Sequence, residues 1–111
     1  MAGSFVIEKG STGKYRFNLR AGNNEIILTS ETYETKGSAE NGIESVRKNS
    51  QDEARFLRKD AKDDSPYFVL TATNGQVIGT SEIYTSAGGR DNGIKSVAAN
   101  APGAKVVDKT A

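Results

Sequence analysis

Asn41-Gly42-Ile43-Glu44-Ser45-Val46 returns 51 residues later as Asn92-Gly93-Ile94-Lys95-Ser96-Val97. The same shift carries Thr29-Ser30-Glu31 onto Thr80-Ser81-Glu82, Tyr33 onto Tyr84, Phe17 onto Phe68, Leu19 onto Leu70 and Phe5 onto Phe56, with no gap. About 17 of roughly 56 aligned pairs are identical, a level that chance seldom reaches without gaps. The chain is a tandem repeat. Each copy is one supersecondary unit, too small to bury its apolar face alone. The copies, residues 1–53 and 54–111, are therefore expected to pack on each other about a pseudo-twofold axis, as two single-repeat chains would in a dimer.

Working outward from the repeated helix motif, Ala39, Gly42, Ile43 and Val46 fall on one helical stripe. Thr35 and Ser86 suit the N-cap, and Asn49 and Asn100 suit a left-handed C-cap. In the second copy Arg90 replaces the first stripe residue, Ala39. Upstream, Lys14 to Ala21 alternates strictly, as a half-buried strand does. Asn74-Gly75 predicts a two-residue hairpin turn, with Asn23-Asn24 in the same place. That register pairs Leu19 with Leu28 on the inner face and Arg20 with Ile27 on the outer one. Short strands at Phe5 to Lys9, Ala54 to Lys59 and Ala104 to Asp108 complete the units, the middle one serving both copies.

Composition narrows the chemistry. The 111 residues carry 15 basic and 14 acidic side chains, a formal charge of +1, with no cysteine and no histidine. Disulfides, thiol catalysis, imidazole acid–base work and the common zinc sets are thereby excluded. A near-balanced charge gives little general attraction for nucleic acid. No apolar run approaches the ~20 residues needed to span a bilayer, and the first residues have neither a basic nor an apolar leader pattern. The expectation is a cytoplasmic, monomeric protein without a membrane segment.

Three motifs together, Thr-Ser-Glu-x-Tyr, the Asn-Gly-Ile-x-Ser-Val helix and the Asn-Gly hairpin, resemble the YegP-like family of small bacterial proteins without an assigned activity. The resemblance covers essentially the whole chain. It implies an α+β fold of two tandem β3-α-β repeats, with a single shared sheet, swapped C-terminal strands and two helices on one face. It supplies no catalytic residue. Gly79 in place of Leu28 departs from the repeat and is expected to thin the apolar contacts of the second copy.

If the helices cover one sheet face, the other is open. The predicted register puts Arg16, Asn18, Arg20, Ile27 and Thr29 there from the first copy, and Tyr67, Val69, Thr71, Ile78 and Thr80 from the second. A solvated face is the ordinary outcome for an antiparallel sheet. The sharper reading is a platform for a protein partner, or for single-stranded nucleic acid stacking on Tyr67 and meeting Arg16 and Arg20 through phosphates. A second candidate is the repeated corner: Glu31, Tyr33 and Asn41, with Glu82, Tyr84 and Asn92. Glu and Tyr there could act as base and acid, or bind a small molecule. The structural alternative is that Ser and Glu bond backbone at the corner, that Tyr covers the helix start, and that the asparagines bond a loop. Asp60 to Asp64 lacks the glycine and terminal glutamate of a calcium loop, and Gly10 to Lys14 reads as a hairpin turn rather than a phosphate loop. The function expected from these residues is a non-enzymatic interaction or structural module, with no metal, no cofactor and an unidentified partner.

Overall fold

The computed structural model describes residues 3–110, so the leader reading of Met1 and Ala2 lies outside the described residues. Seven strands and two helices follow one another as β1 (Ser4–Lys9), β2 (Tyr15–Arg20), β3 (Ile26–Ser30), α1 (Lys36–Asn49), β4 (Phe56–Asp60), β5 (Pro66–Thr71), β6 (Val77–Thr80), α2 (Ala87–Asn100) and β7 (Lys105–Asp108). They form one sheet in the order β4-β5-β6-β3-β2-β1-β7. The repeats join where β3 meets β6 antiparallel, with Thr29 opposite Thr80. These two residues are equivalent under the 51-residue shift, so the pseudo-twofold axis passes between them. The strand exchange inferred from the family is present but happens once. β7 crosses to pair parallel with β1, whereas β4 pairs with β5 alone.

Both helices lie on one face, over a single core that draws on both repeats. Ala39, Gly42, Ile43 and Val46 are buried as their spacing predicts. Each repeat nests an aromatic trio beneath its helix. Phe5 and Phe17 meet edge to face at 5.8 Å, and Phe17 stacks on Tyr33 at 6.1 Å. Phe56, Phe68 and Tyr84 repeat this at 5.7 and 6.2 Å. The mid-helix glycines follow from it. A Cβ on Gly42 would lie 2.9 Å from the Phe17 ring and collide with the Tyr33 hydroxyl; Gly93 stands in the same relation to Phe68 and Tyr84.

Three local readings need correction. The hairpin loops are not two-residue turns. Ala21 to Asn24 and Ala72 to Gly75 are type I turns closed by a left-handed residue, Asn24 at φ 70° and Gly75 at φ 85°. Such a turn inserts a bulge. Leu19 still pairs with Leu28, but Arg20 pairs with Ile26 rather than Ile27. Asn49 and Asn100 do not adopt a left-handed cap; each Nδ2 donates back to the carbonyl four residues earlier, Ser45 or Ser96, at 2.8 Å. Gly79 does not thin the core, because Leu28 reaches across the axis into the space its side chain would fill, leaving a Cβ only 2.8 Å from the Leu28 side chain.

Candidate functional site

The bulge decides where the candidate residues lie. Ile27 and Ile78, expected on the open face, belong to the buried core on the helix side. Bulging by one residue turns the side chain to the other face. Ile26 and Val77 instead pair with Arg20 and Thr71. The remaining open-face residues lie on the face where the alternation puts them, but Asn18, Val69 and Thr71 are buried there rather than open to solvent, and the Thr71 hydroxyl donates to the Arg55 carbonyl at 2.8 Å. A row in register runs Leu57, Val69, Thr80, Thr29, Asn18, Val6, Val107 across all seven strands. Arg20 donates to the Asn18 carboxamide at 2.9 Å. Arg16 and Tyr67 are not brought together. β2 and β5 run in opposite directions with β3 and β6 between them, so the two side chains flank that row on opposite sides, three strand spacings apart, roughly 14 Å.

The repeated corners are brought together with something the sequence did not reveal: the hairpin of the other repeat. One cleft of about 590 Å3 is lined by Glu31, Tyr33, Asn41 and Ser45 from the first repeat and by Asn74, Gln76 and Ile78 from the second. Its counterpart, about 290 Å3, is lined by Glu82, Tyr84, Asn92 and Ser96 with Asn23, Glu25 and Ile27. Each residue of the first set maps onto the second under the repeat, with Gln76 and Glu25 the one exchange among those named. The signal that could have found the clefts was the pseudo-twofold itself, which places each hairpin tip beside the other repeat's helix.

Within each corner the parts differ in role. The Ser30 hydroxyl accepts from the Phe17 amide at 2.9 Å and donates to the Glu31 carbonyl at 2.7 Å; Ser81 does the same with Phe68 and Glu82 at 2.9 and 2.8 Å. These serines fix the strand-to-helix corner. The Thr35 and Ser86 hydroxyls accept from the amides of Ser38 and Gly89 at 3.1 and 3.0 Å and start the helices. The Tyr33 and Tyr84 rings are half-buried against the core, each with its hydroxyl over the helix glycine. Burial, and then the neighbouring Glu31 or Glu82 carboxylate, pushes both phenols above their ordinary value, so they remain protonated donors at neutral pH. Neither carboxamide of Asn41 and Asn92 has a hydrogen-bond partner among the described residues, and both are exposed in the clefts. No lysine or arginine lines either cleft.

Among the described residues no cluster of three acidic side chains could hold a metal ion, and no helix is long and apolar enough to cross a membrane. Asp63 and Asp64 instead build a hairpin turn, with Asp64 left-handed at φ 66° and the Asp63 carboxylate accepting from the Ser65 amide at 3.1 Å. Gly10 to Lys14 forms the same turn, with Gly13 at φ 84°.

The family model described as Domain of unknown function (DUF1508) matches residues 11–56 and 61–108, once in each repeat. A UPF0339 protein of Bordetella pertussis is 60% identical over 110 residues, 99% of this chain and 98% of its own length. The UPF0339 protein YegP of Escherichia coli K12 is 50% identical over 110 residues, 99% of this chain and all of its own. Among solved structures, the solution NMR structure of a UPF0339 protein from Shewanella oneidensis superposes with a TM-score of 0.93 at 51% identity, covering 99% of this chain and 93% of that one. The solution NMR structure of YegP from Escherichia coli gives 0.94 at 50%, covering 99% and 95%.

Proposed function

The chain belongs to the DUF1508 family, whose description assigns no activity, and we propose that it is a non-enzymatic binding module with two equivalent clefts. The observation that carries this reading is the retention of Glu, Tyr, Asn and Ser at matching positions in both clefts, together with Asn23 and Asn74. The open face has diverged meanwhile, with Arg16 against Tyr67, Asn18 against Val69 and Arg20 against Thr71. Packing alone accounts for the serines and the tyrosine rings, and Asn23 and Asn74 hold their turns by accepting from the amides of Glu25 and Gln76 at 3.1 and 3.0 Å. It does not account for Asn41 and Asn92, whose carboxamides face solvent beside a protonated phenol and a carboxylate.

The lining selects the ligand chemistry. A phenol donor, carboxamides that both donate and accept, and one or two carboxylates suit a small polar ligand that is uncharged or cationic. The absence of basic groups from the lining disfavours a phosphate. The test is titration of isotope-labelled protein with putrescine, glucose and inorganic phosphate in turn, followed by amide chemical shifts. The reading expects putrescine or glucose to move Tyr33, Asn41 and Asn74 and, in parallel, Tyr84, Asn92 and Asn23, with phosphate inert. Asn41→Ala and Asn92→Ala should each silence one set. Shifts confined to Arg16, Arg20 and Tyr67, or none with any probe, would reject it.

A further inference from the structure

The two outer edges of the two repeats are not alike. On β1 the edge is covered by β7, with Phe5 beside Val106 and Val6 beside Val107. The Lys105 amide donates to Gly3 at 3.3 Å and the Lys109 amide to Ile7 at 3.0 Å. Arg47 completes the cover. Its guanidinium lies 5.1 Å above the Phe5 ring and donates to the carbonyls of Ala101 and Pro102 at 3.0 and 3.1 Å, pinning the turn that leads into β7. On β4, the counterpart of β1, no strand pairs with the outer edge among the described residues. Arg47 is replaced by Ala98. The space so left is a groove of about 310 Å3 over Phe56, Ile94 and Ala98, rimmed by Glu53, Asp91, Arg58 and Lys95.

We propose that the β4 edge and this groove form a docking site for an extended peptide segment of a partner protein, running parallel to β4 and carrying two adjacent aliphatic residues. The occupant is read from β7 on β1, translated by the repeat. The first aliphatic residue sits beside Phe56 on the helix side; its template Val106 is 45% exposed beside Phe5, and Ala98 in place of Arg47 gives this residue the groove to enter. The second sits beside Leu57 on the open face. Leu57 is 44% exposed, whereas its counterpart Val6, sheltered by β7, is 3% exposed. The rim carries two acidic and two basic groups, so it favours no charge and leaves the choice to the apolar walls. The Arg58 amide and the Phe56 and Arg58 carbonyls supply the ladder, as their counterparts at Ile7 and Phe5 do for β7, while the Phe56 amide is already bonded to the Glu53 carbonyl. A second copy is a poor occupant, because its β7 is already paired with its own β1 and antiparallel pairing of β4 with itself would oppose Arg58 and Lys59 across the seam.

The probe is the capped peptide Ala-Pro-Gly-Ala-Lys-Val-Val-Asp-Lys-Thr, the sequence of residues 101–110, added to the full chain. The site predicts saturable shifts on β4 and α2, with slowed amide exchange at Arg58. A peptide with asparagine at both valines should bind at least 10-fold more weakly, and Ala98→Trp, which fills the groove, should block binding. Unchanged exchange at Arg58 in millimolar peptide, equal binding of the asparagine peptide, or unaltered binding by a folded Ala98→Trp chain would each overturn the proposal. Because the clefts lie on the opposite side of each helix motif from this groove, their ligands report on the earlier reading separately.

Discussion

Val6 and Leu57 hold the same place in the two repeats and live in opposite surroundings, one under β7 and the other at a bare edge. Ile7 and Arg58 differ in the same way. Ile7 is fully buried, while Arg58 reaches out to Asp91 at 2.9 Å and Glu53 at 3.3 Å. At the other end of each repeat, beside the axis, almost nothing differs. Fusing two β3-α-β units end to end explains both facts. The linker after α1 becomes β4 and is used within the second repeat, so only one C-terminal strand is free to cross. Symmetry is kept where the repeats face each other and lost where the connection breaks it.

Leu28 and Gly79 are the sharpest exception at the axis, and they offer the largest effect. Leu28→Ala removes a buried side chain on which both repeats pack and should cost about 2–5 kcal/mol in urea unfolding. Gly79→Leu adds a side chain to occupied space and should cost about 1–3 kcal/mol. Leu28→Gly combined with Gly79→Leu moves the leucine to the symmetry-related place. Recovery of most of the lost stability is expected; additive losses would show that the two positions are not interchangeable.

The helix glycines come next. Gly42→Ala and Gly93→Ala gain about 1 kcal/mol of helix propensity but push a Cβ into the tyrosine and phenylalanine rings, for a net loss of about 1–2 kcal/mol each. Adding Tyr33→Phe or Tyr84→Phe removes the nearest atom and should return part of that loss. Equal behaviour of the two pairs is expected, because their geometry is matched. A smaller effect belongs to the caps: Thr35→Ala and Ser86→Ala should each cost about 1 kcal/mol.

The smallest test probes the asymmetric edge. Asp108 is held down to about 2 by its bond to the Lys36 ammonium, 2.6 Å away, and then by Thr110. A lowered value in the folded chain means that its stabilising contribution is present above about pH 4 and is lost as pH falls toward 2. Carboxyl titration by NMR should find that midpoint, and Lys36→Met should raise it. The second repeat has Ala87 at the matching position and no such bond.

Much of this was legible beforehand because the repeat itself carried it. Phe17, Leu19, Ile43 and Val46 revealed strand, helix and core through their spacing, and the match of Thr29 with Thr80 gave the axis once pairing was seen. The missed features share a cause. A left-handed residue four places into a turn, at Asn24 or Gly75, moves one isoleucine across the sheet, and no periodicity reports it. The clefts stayed hidden because each joins residues far apart in the chain, Asn41 with Asn74 or Gln76, 33 and 35 positions on, and Asn92 with Asn23, 69 positions back. Gly79 looked like a deletion of contact until Leu28 was seen to fill its space from the other repeat.

Residue-resolved urea unfolding tests most directly whether the two repeats are one body with shared parts. The amides of Ile43 and Ile94 should lose their native signals at the same urea concentration, and Leu28→Ala should move both midpoints down together. Two separated transitions, or a shift of Ile43 that leaves Ile94 in place, would contradict the shared core and the clefts built across it.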